Sequence, residues 1–119
     1  SLHLDRAQDC LGEAELLFGE AHRAAAVSRA YYAMFHAATA ALLHHGVERH
    51  SHQGIISAFG QTFAKTGIID ARFHRYFKDS FDLRQETDYQ PMVHLTAERG
   101  REVLNWAKEF AAVCRTLCQ

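Results

Sequence analysis

Proline is almost absent from this 119-residue chain, with one residue at Pro91, and glycine is sparse at seven. A sandwich or barrel of seven or eight strands needs more turn residues than that, so the scarcity points to long helices. The three cysteines, Cys10, Cys114 and Cys118, have no short-spaced framework, which excludes a small disulfide-stapled domain. Cys114 and Cys118 lie four apart and read as small buried hydrophobes, with a two-ligand metal half-site as the alternative. No apolar run approaches the roughly 18 residues of a membrane span. No charged and then apolar leader precedes the first helical stretch, so the expectation is a cytoplasmic protein. Excess charge is missing too: 13 Lys+Arg against 14 Asp+Glu give a formal charge of -1, unlike a dedicated duplex-DNA binder.

What is present is apolar and aromatic. Hydrophobic residues make up 48%, with eight Phe, four Tyr and one Trp, and His is frequent at nine. This composition fits one folded domain over 1–119 rather than a disordered chain. Charge is uneven along it. Residues 49–78 carry Arg49, Lys65, Arg72, Arg75 and Lys78 against Asp70 alone, the clearest candidate for a positive patch.

Apolar spacing near 3.6 residues predicts helices throughout. The first spans about Leu4 to Phe18 and stops at Gly19. The second, about His22 to His45, has apolar residues on more than one face and many alanines, so it is either central or shared with a second subunit. Ser51 is the expected N-cap of a third helix, about His52 to Lys65, and Gly67 its stop. Asp70 is the candidate cap of a fourth, in which Phe73, Phe77 and Phe81 share one face and which reaches the Arg84 region. Pro91 marks a boundary near Tyr89 and Gln90. Thr96 is placed to cap the last helix. The expected fold is all-α, an antiparallel bundle of four main helices plus a shorter fifth.

Three clusters carry candidate chemistry. Arg29 and His36 are seven apart, hence within roughly 20° on a helical wheel, and offer a basic-plus-imidazole surface beside Tyr32 for phosphate contact. The alternative is a pair of satisfied or interfacial polar residues. His44, His45, His50 and His52 crowd one connection. A metal site is conceivable there, but Glu48 is the sole nearby carboxylate, so capping and solvation are the preferred reading and no metal or cofactor is expected. In Leu83-Arg84-Gln85-Glu86-Thr87-Asp88-Tyr89, Arg84 and Asp88 pair across one turn. Arg84 is the candidate phosphate-binding or catalytic residue, with Asp88 and Tyr89 as candidate groove or modification residues. The alternative is a helix-terminal ion pair with a packed tyrosine.

These stretches resemble a known family. Ser28-Arg29-Ala30-Tyr31-Tyr32-Ala33-Met34-Phe35-His36-Ala37, Ser51-His52-Gln53-Gly54-Ile55 and Arg84-Gln85-Glu86-Thr87-Asp88-Tyr89 are similar to HEPN domains of the small, stand-alone prokaryotic type. The resemblance spans nearly the whole chain. It implies an all-α homodimer, paired with a minimal nucleotidyltransferase in a toxin–antitoxin-like system and contacting RNA or nucleotide. Many HEPN proteins are metal-independent endoribonucleases that use an Arg followed after four to six residues by His, with Arg stabilising the strained phosphate and His moving protons. Here Arg84 matches the arginine, but Asp88, Tyr89 and Gln90 occupy the histidine's place, and His94 lies ten residues on. The expectation is therefore a partner protein without full ribonuclease machinery. Endoribonuclease activity and a plain helical interaction module are the alternatives. In some such pairs the partner adds nucleotides to a tyrosine near the motif, which makes Tyr89 a candidate.

Overall fold

The computed structural model describes residues 1–90 and 94–119. Pro91, the expected breaker, lies outside them. Five α-helices run in order: α1 Leu2–Gly19, α2 Arg23–His44, α3 His52–Phe59, α4 Arg72–Tyr89 and α5 Ala97–Leu117. Their lengths are 18, 22, 8, 18 and 21 residues. The all-α expectation is met: among the described residues there is no strand, and no helix is long and apolar enough to cross a membrane.

Side-chain caps fix two of the starts foreseen in the sequence. Ser51 Oγ accepts from Gly54 N–H at 2.9 Å, and Thr96 Oγ1 from Arg99 N–H at 3.0 Å. Asp70 Oδ1 accepts from Arg72 N–H at 2.8 Å, just ahead of α4. Gly46 (φ +79°) and Gly67 (φ +81°) supply the left-handed backbone after α2 and α3.

The third helical stretch differs from the expected single helix. After Phe59 it opens into a π-helical turn, Gly60–Ala64, in which Lys65 N–H donates five residues back to the Gly60 carbonyl at 2.8 Å. The reason lies in α4. A Cβ on Gly60 would stand 2.6 Å from His74 Nε2, so the missing side chain lets the imidazole lie against the backbone. The wider turn keeps both Phe59 and Phe63 fully buried.

α2 packs against each of the other four α-helices. Its buried residues go round the helix: Ala26, Ala30, Ala33, Ala37, Ala40 and Ala41 bring backbones close, while Val27, Tyr31, Met34 and Leu42 fill the gaps. Beneath the middle of α2, Phe59, Phe77 and Phe110 come from α3, α4 and α5. Their centroid separations are 4.8 Å (Phe59–Phe110), 5.1 Å (Phe77–Phe110) and 6.0 Å (Phe59–Phe77), a contiguous aromatic centre. Outside it, Glu15 of α1 accepts from both Arg101 (2.8 and 3.0 Å) and Lys108 (2.6 Å) of α5. Those donors hold its carboxyl well below the usual range, at about 2.

Candidate functional site

α4 positions Arg84 by register. Phe77, Ser80 and Phe81 are buried, and Arg84 lies seven, four and three residues beyond them on the same side of the helix. The buried stripe thus delivers a guanidinium against α2. Its Cζ lies 5.0 Å from the Tyr32 ring centroid and 5.8 Å from that of Tyr31. One Arg84 Nη donates toward Asp88 at 3.3 Å, the predicted i,i+4 pair. Arg84 Nε is buried and has no hydrogen-bond partner among the described residues.

Arg29 reaches the same place from α2. Its Cζ is also 5.0 Å from the Tyr32 ring, so two guanidinium groups converge on one phenol, and Glu13 stands 3.8 Å from Arg29. His36 turns toward α1, where its Nδ1 is 3.2 Å from His3 Nδ1 and the two rings stack. Arg29 and His36 both line a shallow cavity between α1 and α2 with Arg6, Cys10 and Glu13. The structure therefore groups Arg84, Asp88 and Arg29 around Tyr32 and leaves His36 on the far flank. Tyr89 is 80% exposed, contrary to the reading of a packed tyrosine.

His44, His45, His50 and His52 do not gather into one site, although the His44 and His45 rings meet edge to face at 5.6 Å. His45 hydrogen-bonds the Leu117 carbonyl at 2.9 Å and packs on Phe63. His50 lies 3.7 Å from Glu48 at the surface, and His44 is exposed. No group of three potential metal ligands occurs among the described residues. Cys10 and Cys114 are buried, and burial pushes both thiols up.

His52 departs from the reading of capping and solvation. At the first position of α3 it folds inward, with its ring 4.5 Å from Phe35, 5.7 Å from Tyr31 and 6.1 Å from Phe81. Its Nδ1 is 2.7 Å from the Tyr31 hydroxyl. Burial, and then the positive charge of Arg84, hold its imidazole below its ordinary pKa. An imidazole and a guanidinium thus flank the Tyr31–Tyr32 pair.

This arrangement belongs to a recognisable family, because the HEPN domain matches residues 1–117. The chain belongs to the HEPN family. A UPF0332 protein of Thermotoga maritima is 32% identical over 105 residues, covering 88% of this chain and 80% of the relative. A second UPF0332 protein, from Gloeobacter violaceus, is 43% identical over 86 residues, covering 72% and 68%. A Methanocaldococcus jannaschii protein named "putative toxin" is 28% identical over 102 residues, covering 86% and 69%.

In this HEPN domain the histidine of the Arg-then-His spacing is absent from α4, yet an imidazole reaches Arg84's surroundings from α3. The signal was present in the spacing. His52 stands three, four and seven residues before the buried Ile55, Ile56 and Phe59, so it shares their apolar face. His94, the other candidate by order along the chain, is exposed.

The lowered His52 value has a consequence for stability. An imidazole whose folded pKa lies below its unfolded value near 6.5 binds fewer protons folded than unfolded, so its contribution is full above that value. It is lost as pH falls toward the folded pKa. His36 shifts the same way, by burial first and then the charges of His3, Arg6 and Arg29. Thermal unfolding midpoints are expected to fall as pH drops from 7 to 5, and His52→Asn is expected to flatten part of that slope. An unchanged slope in the variant would remove His52 as a contributor.

Proposed function

We propose that this HEPN domain is the toxin-type component of a two-component system, a homodimer that binds RNA or nucleotide phosphate at Arg84 and docks a minimal nucleotidyltransferase. One observation carries the phosphate site: Arg84 is held over two tyrosine rings beside Arg29, with a buried Nε that has no partner among the described residues. An arginine held this way can grip a phosphate through its outer Nη groups, while the rings, of which Tyr31 is fully buried, fix the plane of the guanidinium. The Asp88 pair does not bar the site. Partly exposed ion pairs are worth about 0–1 kcal/mol, so a dianionic or bridging phosphate can take the place of one carboxylate. Two Methanocaldococcus jannaschii relatives named "putative toxin" support the two-component reading. Near-zero net charge fits a module that meets a protein partner as well as a local phosphate.

The exposed Tyr89 phenol gives the pairing a chemical test. A nucleotidyltransferase would join its oxygen to the α-phosphorus of a nucleoside triphosphate, with pyrophosphate leaving and the phenol proton passing to solvent. Co-expression with a minimal nucleotidyltransferase encoded beside the gene is expected to yield a stable complex and a mass gain of one or more nucleotidyl units, absent in Tyr89→Phe. Separate elution with unchanged mass would contradict the pairing.

A second reading, metal-independent endoribonuclease, is favoured by His52 alone. There the imidazole would take the proton of an RNA 2′-hydroxyl as that oxygen attacks phosphorus; the bond to the 5′-oxygen breaks, leaving a 2′,3′-cyclic phosphate and a 5′-hydroxyl that takes its proton from water, and Arg84 steadies the negative charge.

A further inference from the structure

A groove of about 650 Å³ runs between the α3–π-turn segment and α4, on the far side of Phe81 from Arg84. Two rows of side chains face each other across it. Gln53, Ser57, Gln61 and Lys65 recur every fourth residue on one wall. His74, Lys78 and Asp82 do so on the other. Asp82 is the one carboxylate among the lining residues, against two ammonium groups. The π-turn belongs to the same construction, since Gly60 admits the His74 imidazole to the groove floor. π-turns are rare and recur at functional sites.

We propose that this groove holds the phosphate backbone of a single-stranded oligoribonucleotide whose neighbouring phosphate sits on Arg84. The proposal rests on the RNA reading given above and extends it with a direction. On α4, Lys78 and Arg84 lie three residues before and after Phe81, about 60° to either side of it on the helical wheel. Phe81 in turn stacks on His52 at 6.1 Å. A strand leaving the Arg84–Tyr32 surface therefore crosses the His52–Phe81 rim and meets Lys78 and then Lys65. Charge favours this occupant. Lys65 and Lys78, two of the five basic residues of 49–78, line the groove against Asp82 at its Arg84 end, and its amide and hydroxyl groups supply hydrogen bonds to phosphate and ribose without reading sequence.

The test titrates a fluorescent, unstructured oligouridylate with the full chain and follows anisotropy over a series of salt concentrations. The variants are Lys65→Ala/Lys78→Ala, Lys65→Arg/Lys78→Arg and Arg84→Ala. Both lysines are exposed, so their replacement leaves the core untouched. The double alanine variant is expected to bind more weakly and to lose about 1.4 from the slope of log affinity against log salt, two single-strand phosphate contacts. The double arginine variant is expected to restore the slope. Wild-type slope and affinity in the double alanine variant, with binding weakened in Arg84→Ala, would overturn the groove and leave the Arg84 site standing. No binding by the wild type would overturn both. Displacement of the oligonucleotide by free ATP at equal phosphate concentration would overturn the extended-strand form.

Discussion

If Arg84 is the proposed phosphate site, Arg84→Ala is expected to lower affinity for single-stranded RNA by about 10- to 100-fold, the size expected for losing charge-assisted hydrogen bonds worth about 1.5–3 kcal/mol. The guanidinium is oriented by two phenol rings on one side and Asp88 on the other, so little ordering remains when a phosphate arrives. Arg84→Lys is expected to recover only a small part of the loss, because an ammonium lacks both the planar fork and the ring stacking. Folding is affected as well. The substitution removes one partly exposed ion pair and two cation–ring contacts, together about 1–3 kcal/mol. A binding titration beside a urea unfolding curve separates the two effects. Under the ribonuclease reading, Arg84→Ala and His52→Ala each abolish RNA cleavage measured in EDTA. Full cleavage by either variant would end that mechanism.

Phe77→Ala is the substitution with the greatest expected cost to the fold, about 3–5 kcal/mol. Domains of this size are held by only about 5–15 kcal/mol, so the variant sits near its unfolding threshold at ambient temperature. Phe77 is fully buried and touches the aromatic residues of three other helices: Tyr31 of α2 at 5.9 Å, Phe59 of α3 and Phe110 of α5. Its loss opens a cavity directly beneath the ring that carries Arg84, and close-packed neighbours refill such space only in part. Phe77→Leu keeps most of the volume and is expected to cost roughly 1–2 kcal/mol. Denaturant midpoints check both values, and equal midpoints for wild type and Phe77→Ala would deny the aromatic centre its role.

Much of this architecture is local and can be read residue by residue. Ser51 and Thr96 each satisfy an orphan N–H three residues on, so the starts of α3 and α5 follow from short-range geometry. The four-residue repeat of Phe73, Phe77 and Phe81 sets one buried face, and continuing its register places Arg84 against α2. The features that escaped depend on what one helix meets in another. The π-turn answers to the pairing of Gly60 with His74, fourteen residues apart, and no local propensity encodes it. Proximity in the chain groups His52 with His44, His45 and His50, whereas its spacing to Ile55 and Phe59 turns it inward. The convergence of Arg29 and Arg84 on Tyr32 joins residues from α2 and α4, so it emerges only once those helices pack.

The most direct measurement is an NMR titration of side-chain resonances with single-stranded RNA, following Arg Nε–H and imidazole signals together. The signals of Arg84 Nε–H, Arg29 Nε–H and the His52 ring are expected to shift first and saturate together at one RNA per site. Saturating shifts on other arginines, with Arg84 and His52 unmoved, would contradict the proposed phosphate site.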